Sequence, residues 1–199
     1  MFWNEDREED KGYKVPDDVV DLSFAISCKC LPLDHAYALS TALLEALPWI
    51  ADEEMAGIHL IHGAESGNGW YRPQDSGDAV IHLSRRTRMT LRVPKERIEA
   101  ARALEGALLD IAGNPLEVGG ASVKQLSALS TLFARHVVMP DAELSEAEFL
   151  QSVVDEMRTL GIRVNKILCG RAHDLVTPDE TVHTQSVMIA DLEPEQAVA

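Results

Sequence analysis

The sequence predicts an α+β protein made of two tandem ferredoxin-like units, the second of which lacks its last helix and strand. Short segments in which apolar and polar residues alternate indicate strands, and segments with apolar residues three and four apart indicate helices. Between residues 19 and 121 these segments follow the order β-α-β-β-α-β, which is the ferredoxin-like arrangement. Residues 122–199 repeat β-α-β-β and then stop. We therefore expect an acidic lead-in at 1–18 and two domains, at 19–121 and 122–199.

Local patterns predict each element of the first unit. The first helix is the clearest, because Ala36, Leu39, Leu43 and Leu47 share one face and Pro48 follows. A second helix begins after Pro94 and is stopped by Gly106. The predicted strands are 19–30, 57–62, 79–84, 88–93 and a hairpin over 107–121 that turns at Gly113-Asn114.

The second unit has a strong helix signal. Ser145 is a predicted N-cap, Glu148 three residues later completes a capping-box pattern, and Gly161 is a C-cap signal. A strand is predicted around 131–139 before this helix. Two further strands, at 164–170 and 181–192, follow it and are joined by a turn at residues 177–179.

Composition limits the class of protein. The 199 residues are 46% hydrophobic, which is enough for a packed core. No run of about eighteen apolar residues is present, and the acidic N-terminus does not have the pattern of a secretory signal. The three cysteines lack zinc-ligand spacing, so we expect free thiols in a reducing cytoplasm.

The charge is unevenly distributed. The formal net charge of −15 argues against general affinity for nucleic acid. Residues 81–102, however, hold six arginines and one lysine against two glutamates. The overall figure therefore conceals one basic segment in an acidic protein.

A titratable imidazole stands where the first predicted strand meets the first helix. Asp34 is the predicted N-cap, and His35 and Tyr37 follow it. A helix N-terminus attracts phosphate and disfavours imidazolium, so a neutral His35 can accept a proton from a hydroxyl group. His35 is thus a candidate acid–base residue. The alternative is an ordinary half-exposed histidine that begins a helix.

The basic segment contains a predicted strand with several arginines. Arg86, Arg88 and Arg92 are evenly spaced and share a face, whereas Arg85 points the other way. A row of guanidinium groups on a sheet suits RNA phosphates. The alternative is a solvated strand whose arginines form salt bridges with the many acidic residues.

A glycine-rich loop at 63–78 carries Trp70, Tyr71 and Arg72 side by side. Exposed aromatic residues beside an arginine can stack on unpaired RNA bases. The alternative is that Trp70 packs back and anchors the loop. The loop is not a P-loop, since the Gly-Lys-Ser/Thr ending is missing.

No metal or cofactor site is expected. His59 and His62 are three residues apart on a predicted strand and face opposite sides, and His82 has no carboxylate at ligand spacing. Neither a Gly-x-Ser-x-Gly elbow nor a reactive-cysteine signature is present.

Six longer stretches resemble a known family. They lie in order between about residues 20 and 192 and read LPLDHAYAL, GIHLIHGAESGNGWYRP, HLSRRTRMTLRVP, STLFARHVV, KILCGR and SVMIADL. In these six stretches the chain resembles the CRISPR-associated endoribonucleases that cut precursor CRISPR RNA within its repeats. These are RAMP-superfamily enzymes, and the similarity is to their MYXAN-subtype branch.

The resemblance implies tandem ferredoxin-like, RRM-like units and metal-independent cleavage, in which the ribose 2′-hydroxyl attacks the adjacent phosphodiester. The products would carry a 2′,3′-cyclic phosphate and a 5′-hydroxyl. His35 matches the family's catalytic histidine, and Tyr37 and an arginine of the basic strand would assist proton transfer and stabilise the phosphorane.

The expected partners are CRISPR repeat RNA and other subunits of a CRISPR-associated complex, without DNA or membrane. Family members usually continue into a glycine-rich loop and a final strand, which this sequence lacks. Two other functions therefore stay open. One is a non-catalytic RNA-binding or scaffolding subunit of a CRISPR interference complex, and the other is an acidic interaction module unrelated to RNA.

Overall fold

The computed structural model describes residues 13–63, 65–66, 69–70, 79–141 and 143–198. The chain divides into two compact units. The N-terminal unit contains Asp17–Gln125 together with Asp174–Val182, and the C-terminal unit contains mainly Leu126–His173 and His183–Ala199. In the described ranges no helix is long and apolar enough to cross a membrane.

The N-terminal unit is built around one antiparallel sheet. Its elements in chain order are β1 (Val19–Ser27), β2 (Cys30–Pro32), α1 (Ala36–Ala46), β3 (Gly57–Ile58), β4 (Glu65–Ser66), β5 (Gly69–Trp70), β6 (Val80–His82), β7 (Arg88–Pro94), α2 (Ile98–Ala101), β8 (Leu108–Ile111) and β9 (Asn114–Gln125). The main sheet has the order β3-β7-β1-β9-β8. Strand β1 thus lies between β7 and β9, which come later in the chain, as the first strand does in a ferredoxin-like sheet.

Strand periodicity separates the two faces of this sheet. Helix α1 packs against one face, and the core there includes the fully buried side chains of Leu22, Phe24, Leu39, Leu43, Met89 and Leu91. Each of these contributes roughly 1.5–3 kcal/mol of burial free energy. The residues that alternate with them form the opposite side, which we call the outer face. It includes Asp21 on β1, Arg88, Thr90 and Arg92 on β7, and His59, which follows β3.

Four segments of this unit differ from the sequence prediction. The first strand ends at Ser27 rather than at residue 30, and Cys30 begins the separate strand β2. Strand β3 has two residues rather than six, because the Ile61 N–H donates to the side chain of His35 and the chain leaves β7. Strand β6 pairs with β2 in a separate ribbon and does not join the main sheet. The predicted second helix is three short pieces, with 3₁₀ turns at Lys95–Arg97 and Arg102–Leu104 on either side of α2.

The C-terminal unit has a smaller sheet. Its elements are β10 (Leu132–Val138), α3 (Glu146–Thr159), most of β11 (Lys166–Val176) and of β12 (Thr181–Ala190), and α4 (Pro194–Ala197); residues 174–182 belong to the N-terminal unit. The strand order is β10-β12-β11, the order of the first three strands of a ferredoxin-like unit. Phe149, Val153, Val187 and Ile189 form its core. In the described part of this unit, a single helical turn, α4, occupies the position of the second helix, and no fourth strand is found.

The capping box of α3 is confirmed. The Glu148 N–H donates to Ser145 Oγ at 3.4 Å, and the Ser145 N–H donates to the Glu148 carboxylate at 3.0 Å. Hydrogen bonds from the side chain and backbone of Ser145 lower the pKa of Glu148. The N–H groups of Ser145 and Glu148 at this helix start are thereby satisfied by side chains three residues apart.

Candidate nucleic-acid interface and active site

Helix α1 begins one residue later than predicted, and its cap differs. His35 is the N-cap residue, and no side chain makes a capping hydrogen bond there. The Asp34 carboxylate instead accepts from the Val176 N–H at 3.4 Å. The prediction of Asp34 as the N-cap is therefore wrong, because a backbone donor from the 174–182 segment occupies its carboxylate.

The imidazole of His35 is buried, with 3% of the residue exposed, and both of its nitrogens bond to backbone. Nε2 accepts from the Ile61 N–H at 3.2 Å, and Nδ1 lies 3.0 Å from the Pro32 carbonyl oxygen. A nitrogen that accepts cannot carry the proton, so the ring is the Nδ1–H tautomer and donates to Pro32. The ring thus ties the start of α1 to the segment after β3. Its catalytic role stays a prediction.

Tyr37 is 43% exposed and lies in the first turn of α1. Its hydroxyl has no hydrogen-bond partner in the described part of the chain. Its assistance in proton transfer likewise stays a prediction.

The arginines of the predicted row lie in different surroundings in the structure. Arg92 forms a bidentate pair with Asp21, with Nε–Oδ1 at 2.9 Å and Nη2–Oδ2 at 3.2 Å. Arg88 begins β7, and its Nη1 donates to the carbonyl oxygens of Arg85 and Thr87. Arg85 and Arg86 lie in the turn before β7 rather than on a strand. The prediction that Arg86 shares a strand face with Arg88 and Arg92 is therefore wrong.

Hydrogen bonds fix the turn that carries these arginines. Thr87 is 8% exposed, its N–H donates to the Ser84 carbonyl, and its Oγ1 accepts from the Ser84 N–H. The Arg86 N–H donates to Ser84 Oγ at 3.2 Å. The Leu83 N–H donates to the Lys29 carbonyl, which brings the β1–β2 connection beside this turn.

We call the exposed cations Lys29, Arg85, Arg86 and Arg88 the basic turn. Among the described residues none of the four has a carboxylate within ion-pair distance. Other cations of this unit are neutralised: Lys95 by Asp17, Arg97 by Glu53, and Arg102 by Glu99 and Glu105. The basic turn is therefore a local excess of positive charge that can bind phosphate.

On the outer face, Asp21 is the centre of a charged cluster. Burial alone would raise its pKa, but hydrogen bonds from His59 and Arg92 and the charge of Arg92 lower the pKa of Asp21 to about 2. His59 Nε2 lies 3.5 Å from Asp21 Oδ1. The carboxylate is thus ionised throughout the physiological range.

The predicted base-stacking group is mostly outside the described residues. Tyr71 and Arg72 are not described, and of Trp70 only the backbone is, paired with Glu65. Their role in RNA binding stays a prediction.

The described residues contain no cluster of three or more His, Cys, Asp and Glu side chains that could hold a metal ion. The thiols of Cys28, Cys30 and Cys169 are free. Burial raises the pKa of Cys28 and of Cys169, which keeps these two thiols protonated and poorly nucleophilic.

The family model described as Cas6 Crispr matches residues 20–199, which is nearly the whole chain. The chain belongs to the Cas6 family. A CRISPR-associated endonuclease Cas6 from Myxococcus xanthus strain DK1622 is 32% identical over 144 residues, which cover 72% of this chain. The matched region spans 57% of that relative's length.

Solved structures share the Cas6 fold with this chain. One described as CRISPR associated protein Cas6 aligns with a TM-score of 0.55 at 10% identity, covering 90% of this chain and 91% of the other. One described as a RAMP protein binding different RNA substrates has a TM-score of 0.57 at 14% identity, covering 87% and 89%. At these identities the likeness concerns the fold, and it confirms the predicted tandem ferredoxin-like architecture.

Two features of this Cas6-family chain were missed by the sequence reasoning. Lys29 joins the basic turn only because β2 and β6 pair, and its sequence neighbours gave no signal. The spacing of His59 excludes a metal site and indicates no other role, yet His59 lies beside Asp21, 38 positions earlier in the chain. The lowered pKa of Asp21 arises from this non-local contact.

Proposed function

We propose that this chain is an endoribonuclease that cleaves precursor CRISPR RNA within its repeats. The main support is the basic turn, whose four cations have no ion-pair partner among the described residues although the protein has a formal charge of −15. An anionic ligand is repelled by most of such a surface and attracted at this place. Membership in the Cas6 family, and a 32% identical relative named as a CRISPR-associated endonuclease, support the substrate class.

We infer a cleavage chemistry that uses the RNA itself as nucleophile. The ribose 2′-oxygen attacks the adjacent phosphorus, the bond to the 5′-oxygen breaks, and a 2′,3′-cyclic phosphate and a 5′-hydroxyl result. This reaction needs a group that accepts the 2′-proton, a proton for the leaving oxygen and stabilisation of the phosphorane charge. In this proposal Lys29, Arg85 and Arg86 of the basic turn stabilise the developing charge, and one histidine imidazole transfers the proton.

The test is cleavage of the cognate repeat RNA in excess chelator, followed by analysis of the product ends. We expect cleavage without divalent metal and a cyclic phosphate end. Replacing Lys29, Arg85 and Arg86 by Ala together should weaken cleavage at low RNA concentration, whereas the matched control Lys95→Ala, which removes a paired lysine, should not. Cleavage that requires divalent metal would exclude the mechanism, and RNA left intact would exclude the function.

A second function is favoured by one observation. Both ring nitrogens of His35, the residue that matches the family's catalytic histidine, bond to backbone in a buried position. A non-catalytic subunit that holds repeat RNA in a CRISPR complex would need no more than the basic turn. RNA that binds and stays intact between pH 6 and 9 would support this function over cleavage.

Four further expectations stay predictions: the domain boundary at residue 121, complex subunits as partners, the exclusion of DNA and the cytoplasmic location.

A further inference from the structure

His59 is an exposed imidazole that lies beside an ionised carboxylate on the outer face. It follows β3, and its backbone N–H donates to the Thr90 carbonyl at 3.1 Å, which fixes its position beside β7. Its side chain lies on the outer face, 42% exposed, with Nε2 3.5 Å from Asp21 Oδ1. Because Asp21 is ionised, Nε2 carries the proton and Nδ1 has the lone pair. In the described part of the chain Nδ1 has no hydrogen-bond partner.

This arrangement matches what a general base requires. One nitrogen faces a carboxylate that sets the tautomer, and the other has no partner in the described part of the chain, on a side chain that is 42% exposed. His35 has the opposite arrangement, since its accepting nitrogen is already occupied by the Ile61 N–H inside the protein. Accepting a proton from RNA at Nε2 would first require that hydrogen bond to break.

Three cations, Arg88, Arg92 and Lys124, lie on the same face of the sheet as His59. The Arg92–Asp21 pair uses Nε and Nη2 of Arg92, so Nη1 remains for a phosphate oxygen. Arg88 lies on the same face of β7 and belongs to the basic turn. On β9, Lys124 stands opposite Asp21 in the register. An RNA backbone that contacts both the basic turn and Arg92 would run beside His59.

We propose that His59, oriented by Asp21, is a catalytic acid–base residue of RNA cleavage, and that His35 is a positioning residue. The assignment rests on the proposed function. His59 Nδ1 accepts the 2′-hydroxyl proton while the 2′-oxygen bonds to phosphorus and the bond to the 5′-oxygen breaks. The 5′-oxygen takes a proton from water, and the imidazolium returns its proton to the resulting hydroxide. His35 holds Ile61, two residues after His59, and so fixes the segment that presents the base.

The experiment compares four variants with the wild type in single-turnover cleavage of repeat RNA with chelator. His59→Asn should slow cleavage at least 100-fold while RNA affinity changes less than about threefold, because general-base catalysis typically contributes 10²- to 10⁴-fold. His35→Gln places an amide oxygen where Nε2 accepts from Ile61, and it should retain the rate within about fivefold. His35→Ala should lose stability. His82→Asn, which changes an exposed histidine on β6, is the control and should behave as wild type.

A second readout does not depend on activity. Nitrogen–proton correlation spectra of the imidazoles should show the Nε2–H tautomer for His59 and the Nδ1–H tautomer for His35. Asp21→Asn should leave His59 as a mixture of tautomers, which a merely structural role of Asp21 would not produce. If His59→Asn fails to fold, His59→Gln replaces it, and a melting curve accompanies each variant.

The outcomes separate the two proposals. Wild-type protein that leaves repeat RNA intact overturns the proposed function and this assignment with it. Wild-type protein that cleaves, together with a fully active His59→Asn variant, overturns this assignment alone. A folded but inactive His35→Gln variant also overturns it, since the proton transfer would then belong to His35.

Discussion

The Nε2 atom of His35 accepts a hydrogen bond from the backbone N–H of Ile61, at 3.2 Å, across 26 positions of sequence. Through this bond and the one to Pro32, a single buried ring joins the start of α1 to the segment after β3. The position predicted from sequence as a reactive junction is therefore also a structural one. Stability and activity measurements on the same variants can distinguish these two roles.

His35→Ala should destabilise the protein by about 3 kcal/mol, because the buried Ile61 N–H and the partly buried Pro32 carbonyl lose their partners at roughly 1–3 kcal/mol each. His35→Gln should cost clearly less, since its amide can still accept from Ile61. Urea unfolding measures both. The exposed His82→Ala is the control and should change the free energy of unfolding by less than about 0.5 kcal/mol. Equal losses for Ala and Gln would contradict the structural role of the Ile61 hydrogen bond.

Asp21 should make the stability depend on acid pH. Its pKa falls from 3.8 to about 2 on folding, so its contribution is fully present above pH 3.8 and is lost as the pH falls toward 2. A shift of this size corresponds to about 2 kcal/mol, reduced by solvent screening of the partly exposed partners to about 1–2 kcal/mol.

Urea unfolding between pH 2 and 6 measures this contribution. The wild type minus Asp21→Asn difference in unfolding free energy should shrink as the pH falls through this window. A difference that does not change with pH would show that the Arg92 pair adds no charge-dependent stability.

The basic turn should account for the salt dependence of RNA binding. Arg85→Ala and Arg86→Ala should each reduce the slope of log affinity against log salt concentration by about 0.7, the value for one lost contact to a single-strand phosphate. Fluorescence anisotropy with repeat RNA at several salt concentrations measures the slope. Lys95→Ala removes an equal charge that Asp17 already neutralises, and it should leave the slope unchanged. Equal effects of all three variants would indicate attraction by net charge alone.

A side chain at Gly170 in β11 should force the side chain of Ser186 to move. A Cβ at Gly170 would collide with Ser186 Oγ, which is buried and donates to the Arg171 carbonyl at 3.3 Å. Gly170→Ala should therefore cost about 1–3 kcal/mol, the usual cost of overpacking. In a Ser186→Ala background most of this loss should disappear. A double-mutant cycle by thermal unfolding measures the coupling, and additive losses would contradict the predicted collision.

Features with local causes were predicted correctly from sequence. The capping box of α3 needs only Ser145 and Glu148, and it forms as the spacing indicates. Helix α1 follows from its apolar period, and β1 and β7 from their alternation. The ferredoxin-like order follows in turn, since few arrangements of these elements bury their apolar faces together.

The limits of prediction appear where a polar group chooses a distant partner. Asp34 looked like a helix cap, but its carboxylate accepts from Val176, 142 positions away. For Arg92 the sequence leaves open both an RNA contact and a salt bridge, and the fold pairs it with Asp21 across 71 positions. No local pattern distinguishes a paired arginine from an unpaired one, because the difference depends on which acid the fold brings near.

By itself the sequence determined the element order, the ferredoxin-like fold, the histidine at the start of α1 and the basic segment before Pro94. These are consequences of periodicity, caps and local charge. Tertiary structure alone decided which charges remain unpaired, which imidazole is buried and which is exposed beside a carboxylate. The physical reason is that hydrogen bonds and ion pairs act over a few ångströms in space, and folding brings residues within that range irrespective of their separation in the chain.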